Sequence, residues 1–477
     1  LSPGLGWVPW WKSDIVPLDK HEQWFESYYG KKPRVEEHQF ILAGNDMINI
    51  FVDECRKHGN AAIISYRVND SHFKEFAYDK EGYKPQFAHC ISQFYVEHPE
   101  YRRYPVGKEG WGERNHNWAI PEARQHKLDL VTELIRNYPN IDGVELDILR
   151  HPNYFPTDMS IEGRVDIMVD FIKKVRAALD EVAKKTDGKH RYLGTRVYSR
   201  NTLWKQIGFE PRAWADAGVD FFNLSRDYNT SDQFTSIAEV RERAPDTAIY
   251  SEITHSGYTW KLGGVDYDDH QYRRMTKEMM ESTARVDYAR GADGVSFFNF
   301  AYYRPHGGYR THKGPFNEPP FADMALLADK QALLKNAGHW YAYNWARDFL
   351  YKKGDKTIKT FWIDMLPPID DSAITLRLLV LSEKEGKHGE LDAPEEIDRS
   401  GWVVKVNGVA LSPVQNTWGA YPFESEIKAG FNKAPQYVAF SVPAKLLKDG
   451  VNSVAVSNDD VAQDMILRYV ELFQDKK

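Results

Sequence analysis

The chain has 477 residues, more than one ordinary domain of roughly 100 to 250 residues holds, so its length predicts a large domain and a smaller one. Its 62 Lys and Arg residues are balanced by 69 Asp and Glu residues, which gives no bulk attraction to nucleic acid or to an anionic membrane. Two cysteines, Cys55 and Cys90, are too few for a disulfide framework or a cysteine-based metal site. We therefore expect no nucleic-acid partner and no cysteine-bound cofactor.

The sequence also predicts no membrane span, because its apolar runs are shorter than the roughly 20 residues that cross a bilayer. The opening segment LSPGLGWVPWW lacks the charged and apolar regions of a signal peptide, so we expect the sequence of a processed mature form. Composition gives no basis for an oligomeric state.

Strand-like apolar runs alternate with amphipathic stretches up to residue 350, a pattern typical of repeated βα units. We predict strands at residues 61–67, 115–120, 141–148, 191–198, 219–225, 247–253 and 294–300, with a first strand at 5–10 or upstream of residue 1. Helices are predicted at residues 42–58, 121–137, 160–185, 232–243, 267–289 and 320–338. This succession predicts an α/β fold, a (β/α)8 TIM barrel over residues 1–350. A doubly wound sheet is less favoured, because no glycine-rich phosphate loop follows any strand.

The pattern changes after residue 355 to short alternating runs separated by Gly, Pro, Asp and Asn. Strands at this spacing predict a smaller all-β sandwich domain over residues 355–477. The VNGV segment, Val406 to Val409, carries the Asn-Gly signal of a tight hairpin.

Two carboxylates occupy the strand predicted at 141–148. Glu145 and Asp147 are two residues apart, so both side chains leave one face of the strand while Val144 and Leu146 leave the other. Glu252 lies on the strand predicted at 247–253, across an eight-stranded ring. Because glycoside hydrolysis uses one acid and one carboxylate that flank the scissile bond, we predict Glu145, Asp147 and Glu252 as catalytic residues. The alternative is that each is a buried carboxylate paired with an arginine.

Five arginines lie at or after the predicted strand ends: Arg67, Arg150, Arg196, Arg200 and Arg226. A guanidinium group presents a rigid donor fork that suits carboxylate, sulfate or phosphate. The cluster therefore predicts an anionic substrate, with neutralisation of neighbouring Asp and Glu as the alternative.

Other polar and aromatic residues of the strand ends and loops are predicted to bind substrate. They are Asn69, His72, Trp118, His151, Asp227, Tyr228, His255, Trp260, Asn299 and Tyr303. A single histidine at a strand end is more often structural, and aromatic rings more often pack than stack on sugars. No HxH or HxxxH ligand pair occurs, so we predict no metal and no cofactor.

The segments DGVELD (142–147), LRHP (149–152) and SYRVND (65–70), followed by a β-sandwich, resemble the glycoside-hydrolase-like (β/α)8 proteins of polysaccharide-degrading bacteria. In related barrels a DGxxxD strand carries an active-site Asp, and Asp147 matches that position. Acids on the fourth and seventh strands are also similar to the clan A retaining hydrolases, although no Asn-Glu pair ends the fourth strand here. The resemblance implies hydrolysis of an anionic glycan, sulfated or uronate-containing, such as a carrageenan-type galactan, by a periplasmic or secreted protein. Which of Glu145 and Asp147 is the acid stays open.

Two other functions use the same residues. One is a non-catalytic glycan-binding barrel. The other is a barrel isomerase or lyase in which the acids, with His151, His255 or Asp227, hold a divalent cation.

Overall fold

The computed structural model describes residues 1–5, 7–107, 113–226, 233–254, 256–260, 271–275, 277–298, 300, 321–335, 340–368, 373–382, 400–414, 437–459, 461 and 463–474. The chain divides into two compact units. One comprises Leu1–Ser225 and Glu239–Ala248, and the other comprises Arg226–Ala238 and Ile249–Lys477. The predicted domain limits, 1–350 and 355–477, stay a prediction.

Helices and strands alternate in the first part of the described chain. The helices are α1 (Leu18–Tyr29), α2 (Glu36–Leu42), α3 (Met47–Lys57), α4 (Gln93–Glu97), α5 (Pro121–Asn137), α6 (Ile161–Lys185), α7 (Trp204–Ile207), α8 (Pro211–Asp216), α9 (Ile237–Arg243), α10 (Lys277–Ala289), α11 (Phe321–Ala328) and α12 (Lys330–Lys335). The strands up to residue 300 are β1 (Gly4–Leu5), β2 (Val8–Pro9), β3 (Ile63–Arg67), β4 (Gly143–Asp147), β5 (Tyr192–Tyr198), β6 (Phe221–Ser225), β7 (Ala248–Thr254), β8 (Ser256–Trp260), β9 (Gln271–Arg274) and β10 (Gly294–Phe298).

Strands β3 to β6 lie side by side in the order β6-β5-β4-β3, and β7 pairs with β10 in parallel. Strands β3 to β6 are parallel, and their register aligns two rows of residues. The first row is Ser65, Glu145, Gly194 and Phe221, and the second is Arg67, Asp147, Arg196 and Asn223. The α/β class is therefore confirmed, and the closed eight-stranded barrel stays a prediction.

The opposite face of β3 to β6 is apolar and buried. Ile64, Val144, Leu146, Phe222 and Leu224 are fully shielded from solvent, as expected for strands whose side chains alternate between two faces.

Helix α6, which follows β4 in the chain, is the longest helix described, with 25 residues. Its hydroxyl cap, Ser160, accepts a hydrogen bond from the backbone N–H of Gly163, which satisfies one of the free donors of the first turn.

Two predicted strands differ from the structure. Residues 115–120 do not form a strand; only His116 makes a single bridge, with Arg102. The Asn117 side chain accepts a hydrogen bond from the backbone N–H of Ala119, a local turn that competes with strand pairing, and Pro121 then starts α5. The predicted strand 5–10 is instead part of an antiparallel hairpin of β1 and β2. Gly4 has a φ of 137°, which glycine adopts readily.

The last part of the chain forms two antiparallel four-stranded sheets, in the orders β11-β18-β13-β16 and β12-β17-β14-β15. Their strands are β11 (Trp340–Tyr351), β12 (Lys359–Met365), β13 (Ile374–Ser382), β14 (Trp402–Val406), β15 (Val409–Ala410), β16 (Tyr437–Val442), β17 (Gly450–Asn458) and β18 (Met465–Gln474). Apolar residues from both sheets, among them Leu376, Val404 and Leu472, belong to one buried core. This is the arrangement of a β-sandwich.

The Asn-Gly hairpin forms as predicted. Asn407 and Gly408 have φ values of 49° and 87°, and Val406 pairs with Val409. Positive φ at both central residues is the signature of a type I′ turn. Among the helices described, none combines the length and apolar character that crossing a membrane requires.

We expect Gly143→Ala to destabilise the protein. A Cβ atom at position 143 would lie 2.2 Å from the backbone oxygen of Tyr192 on the neighbouring strand, and the two paired strands have to move apart. Overpacking of this kind costs about 1–3 kcal/mol of unfolding free energy, measurable by urea denaturation. The matched control is Gly163→Ala in α6, where the nearest atoms are side-chain atoms of Ser160 and Met159 at 3.1 and 3.3 Å. Equal stability of the two variants would contradict the close packing of β4 on β5.

Candidate active site

Glu145 lies on the polar face of the sheet, and protein donors reach both of its carboxyl oxygens. Ser65 Oγ donates to Oε1 at 2.6 Å, and Asn223 Nδ2 donates to Oε2 at 2.8 Å. Gly194 of β5 lies between Glu145 on β4 and Phe221 on β6. Because Gly194 has no side chain, the Asn223 amide of β6 can extend over β5 and contact Glu145. A Cβ atom at position 194 would lie 2.0 Å from the Phe221 ring.

The environment of Glu145 favours its neutral form. Burial raises the pKa of this carboxyl, and the Asp147 charge acts in the same direction. These effects outweigh the opposite influence of Ser65, Arg196 and Asn223. A carboxyl that keeps its proton to a higher pH than usual can act as a general acid.

Asp147, two residues further along β4, has a different environment. Arg196 Nη1 donates to both of its oxygens at 3.1 Å, and the backbone N–H of Leu149 donates to Oδ1 at 3.2 Å. Arg196 is itself held by Ser225 Oγ, which accepts from Nη2 at 3.3 Å. Asp147 therefore has a charged partner, whereas the donors to Glu145, Ser65 and Asn223, are uncharged.

The spacing of these two groups follows from strand geometry. Two residues along a parallel strand rise by about 6.6 Å, and side chains of one face stand roughly parallel to each other. The two carboxyl groups of β4 therefore stand next to each other on the polar face of the sheet.

The loop after β3 forms a second polar cluster around Asp70. The Asp70 side chain is buried. Its carboxylate accepts a hydrogen bond from Arg67 Nη1 at 2.9 Å and pairs with His72 Nδ1. His151 Nδ1 lies 3.7 Å from Asp70 Oδ1. Burial alone would raise the pKa of Asp70, but His72, Arg67 and His151 together lower it well below its usual value.

Hydrogen bonds tie this loop to the loop after β4. Asn115 Nδ2 donates to the carbonyl oxygen of His151 at 2.9 Å, and Asn115 Oδ1 accepts from Ser71 Oγ at 2.6 Å. Asn69 Nδ2 reaches the same His151 carbonyl at 3.4 Å. His151 has a φ of 50°, an uncommon conformation for a residue other than glycine, and these bonds hold it there.

Asp70, His72 and His151 are the three residues of the described chain whose ligand atoms lie close enough, within 4.8 Å, to hold a metal ion. Their surroundings do not suit a divalent cation. Arg67 is paired with Asp70, and the charges of Arg114 and Arg150 act on His151. His151 Nδ1 also accepts a hydrogen bond from the backbone N–H of Ser71 at 3.1 Å, which uses the lone pair that a metal would need.

The second unit contains Glu252 and Arg226, both buried. Arg226 Nη2 donates to the two oxygens of Asp287 at 2.6 and 2.7 Å. Its Nη1 donates to Ser251 Oγ at 2.8 Å and to the backbone oxygen of Glu252 at 3.1 Å. These contacts favour a structural role for Arg226 over the predicted contact with substrate.

Trp118 is also part of the framework. Its side chain is fully buried and makes edge-to-face contacts with Tyr154 and Phe171, at ring distances of 5.1 and 5.0 Å. The structure therefore does not favour the predicted sugar contact of Trp118. Arg150 is buried, whereas Arg200 is partly exposed in the loop after β5.

Several predicted site residues lie outside the described part of the chain. Asp227, Tyr228, His255, Asn299 and Tyr303 are among them, and for Trp260 only the backbone, in β8, is described. Their roles stay predictions.

Two residues of the site were missed at the level of sequence. Ser65 is two residues before Arg67 on the same strand face, so the alternation that selected Arg67 would also have found it. Asn115 was predicted to lie in a strand, and no local signal indicates that its side chain connects two loops by hydrogen bonds.

Comparisons with known proteins do not establish a family for the chain. No family model matches it, and no curated protein matches it in sequence. Solved structures similar to it include a Paenibacillus sp. cycloisomaltooligosaccharide glucanotransferase complexed with cycloisomaltoheptaose, at 10% identity and a TM-score of 0.29, covering 89% of this chain and 47% of that one. BuGH86 in complex with neoagarooctaose has 10% identity and a TM-score of 0.30 over 99% and 95% of the two chains.

A Group IV chitinase of Ostrinia furnacalis has 12% identity and a TM-score of 0.36, covering 63% of this chain and 88% of that one. The chain spans about half the length of the Paenibacillus protein. At these scores the likeness carries no weight in assigning a function.

We expect Glu145→Gln to change how stability depends on pH. Because burial raises the pKa of Glu145 in the folded state, the wild type holds a proton that the unfolded chain releases, and it loses stability as pH rises from about 4.3, the usual value for Glu, through the raised pKa. Glutamine stays neutral, so the variant should gain stability relative to the wild type between pH 4 and pH 8.

Urea denaturation at both pH values measures this difference, with Glu242→Gln on the exposed side of α9 as the control. A difference that does not change with pH would contradict the raised pKa.

Proposed function

We propose that the protein is a glycoside hydrolase that cleaves an anionic oligo- or polysaccharide. The observation that supports this most is the pair of carboxyl groups on one face of β4, Glu145 in a buried site that raises its pKa and Asp147 in an ion pair with Arg196. Two acids whose environments differ in this way are what a general acid and an accompanying carboxylate require.

Glu145 is the general acid of this proposal. It protonates the oxygen of the scissile glycosidic bond as that bond breaks, and the charged Asp147 stabilises the positive charge that develops on the sugar ring. The sequence assigns the second role, nucleophile or base, to Glu252.

The anionic character of the substrate is proposed from two arginines whose side chains are partly exposed to solvent. The Arg67 side chain is 18% exposed although it is paired with Asp70, and Arg200 is partly exposed. Guanidinium groups at the carboxyl ends of β3 and β5 suit sulfate or uronate substituents. A carrageenan-type galactan and a periplasmic or extracellular location belong to the same proposal.

We expect release of reducing ends from sulfated or uronate polysaccharides, and none from neutral ones, in a panel of purified glycans. Glu145→Gln should lower the rate by about 10²–10⁴, the usual contribution of a general acid. Glu252→Gln should abolish turnover if its sequence assignment is correct, whereas the exposed Glu242→Gln should leave the rate unchanged. Absence of release from every glycan, with retained glycan binding, would contradict hydrolysis and favour a binding protein.

We expect Arg200→Ala to weaken binding of anionic substrate specifically. Loss of one charge-assisted hydrogen bond of about 1.5–3 kcal/mol corresponds to a rise in KM of about 10 to 150-fold. The rise should shrink at high salt, because the contact is partly exposed and therefore screened. The matched control is Arg212→Ala in α8, since this exposed arginine pairs with Asp216 on the same helix. Equal effects of the two changes would contradict substrate recognition by Arg200.

A further inference from the structure

His72 has one ring nitrogen fixed by the protein and the other available. Its Nδ1 donates to Asp70 Oδ1, and its backbone N–H donates to the same oxygen at 2.9 Å. Among the residues that the structure describes, His72 Nε2 has no hydrogen-bond partner, and the side chain is 29% exposed. A histidine that a buried carboxylate orients through Nδ1 presents Nε2 for proton transfer.

We propose that His72 is the catalytic base of this site, with Asp70 as its positioning residue. The inference rests on the proposed glycosidase activity and deepens it. It moves the role of base from Glu252 to the loop after β3.

Asp70 is held so that it can act in this way. Its side chain has no exposed surface, and its second oxygen, Oδ2, accepts from Arg67 at 2.9 Å. With these donors in place the carboxylate cannot rotate away from His72. The proton of the neutral imidazole is therefore kept on Nδ1.

His72 lies beside groups of both charges. Asp70 supplies a negative charge, partly offset by Arg67. The His151 ring meets the His72 ring edge to face at 4.8 Å. Burial lowers the pKa of His151 well below its usual value. The charges of Arg114 and Arg150 act in the same direction on His151.

The step that follows is a direct displacement. His72 Nε2 takes a proton from a water molecule while the water oxygen forms a bond to the anomeric carbon. The bond between that carbon and the leaving oxygen breaks, and Glu145 gives its proton to the leaving oxygen. The product has inverted configuration, because the water attacks the anomeric carbon in a single displacement.

The test uses His72→Ala with and without imidazole, on the full chain and the substrate found in the glycan panel. We expect the variant to lose about 10²–10⁴ of the rate, the contribution of a general base, and added imidazole to restore part of it, because the cavity left by the side chain admits the free base. His58→Ala, on the exposed end of α3, is the control and should neither lose activity nor respond to imidazole. Proton NMR of the fresh product should show inversion.

The role of Asp70 has its own measurement. Nitrogen-15 NMR of histidine-labelled protein should show His72 in the Nδ1–H form, and Asp70→Asn should shift the pH profile of the rate and redistribute the two neutral forms. An unchanged profile and an unchanged tautomer would leave Asp70 a purely structural residue and overturn its part of the proposal.

Three results would overturn the assignment of His72. They are a His72→Ala variant that imidazole does not rescue, a product of retained configuration, and stoichiometric Zn²⁺ or Mn²⁺ in the purified protein that His72→Ala removes. No release by the wild type would instead contradict the proposed function itself, so the two failures are distinguishable.

Discussion

A buried face of parallel strands that carries charge has to satisfy that charge within the protein. The face formed by β3 to β6 does so by pairing each acid with donors on a neighbouring strand or loop: Glu145 with Ser65 and Asn223, Asp147 with Arg196. An unpaired buried charge costs several kcal/mol (about 3–5) when its partner is removed. This constraint fixes the rotamers of the polar side chains, and the site is rigid because its members are partners of each other. The two acids differ in their partners, because an arginine pairs with Asp147 and uncharged side chains donate to Glu145.

The same principle appears in the second unit. Arg226 is enclosed with Asp287, and Arg290 in the loop after α10 pairs with Asp364 of β12 at 2.8 Å and with Asp449 at 2.9 Å. The latter pairs join the loop after α10 to the β-sandwich within one compact unit. A position at a strand end predicted that these arginines bind substrate. Arg196 and Arg226 instead neutralise buried aspartates.

Sequence reasoning located the parallel strands and several helices, because alternation of apolar residues and helix caps are local signals, but it missed helices α1, α4, α7 and α8. Strands β3 to β7 and β10 lie within one or two residues of their predicted ends or inside the predicted range, and helix α5 has the predicted limits. The failure at residues 115–120 has a local cause, since the Asn117 turn competes with pairing. Partner choice was not predictable: nothing local shows that Arg196 reaches Asp147 or that Arg226 reaches Asp287. For the same reason Trp118, in a segment rich in polar residues, was read as a sugar contact although its ring packs on Tyr154.

The central claim is that burial lets Glu145 keep its proton to a higher pH than an exposed glutamate does. The most direct measurement is carbon-13 NMR of protein labelled at the Glu side-chain carboxyl carbon, with the Glu145 resonance assigned by its absence in Glu145→Gln. The account predicts that this resonance titrates at a pH above that of the exposed glutamates, since burial raises the pKa of Glu145. Titration of Glu145 together with the exposed glutamates, or below them, would contradict it and remove Glu145 as the general acid.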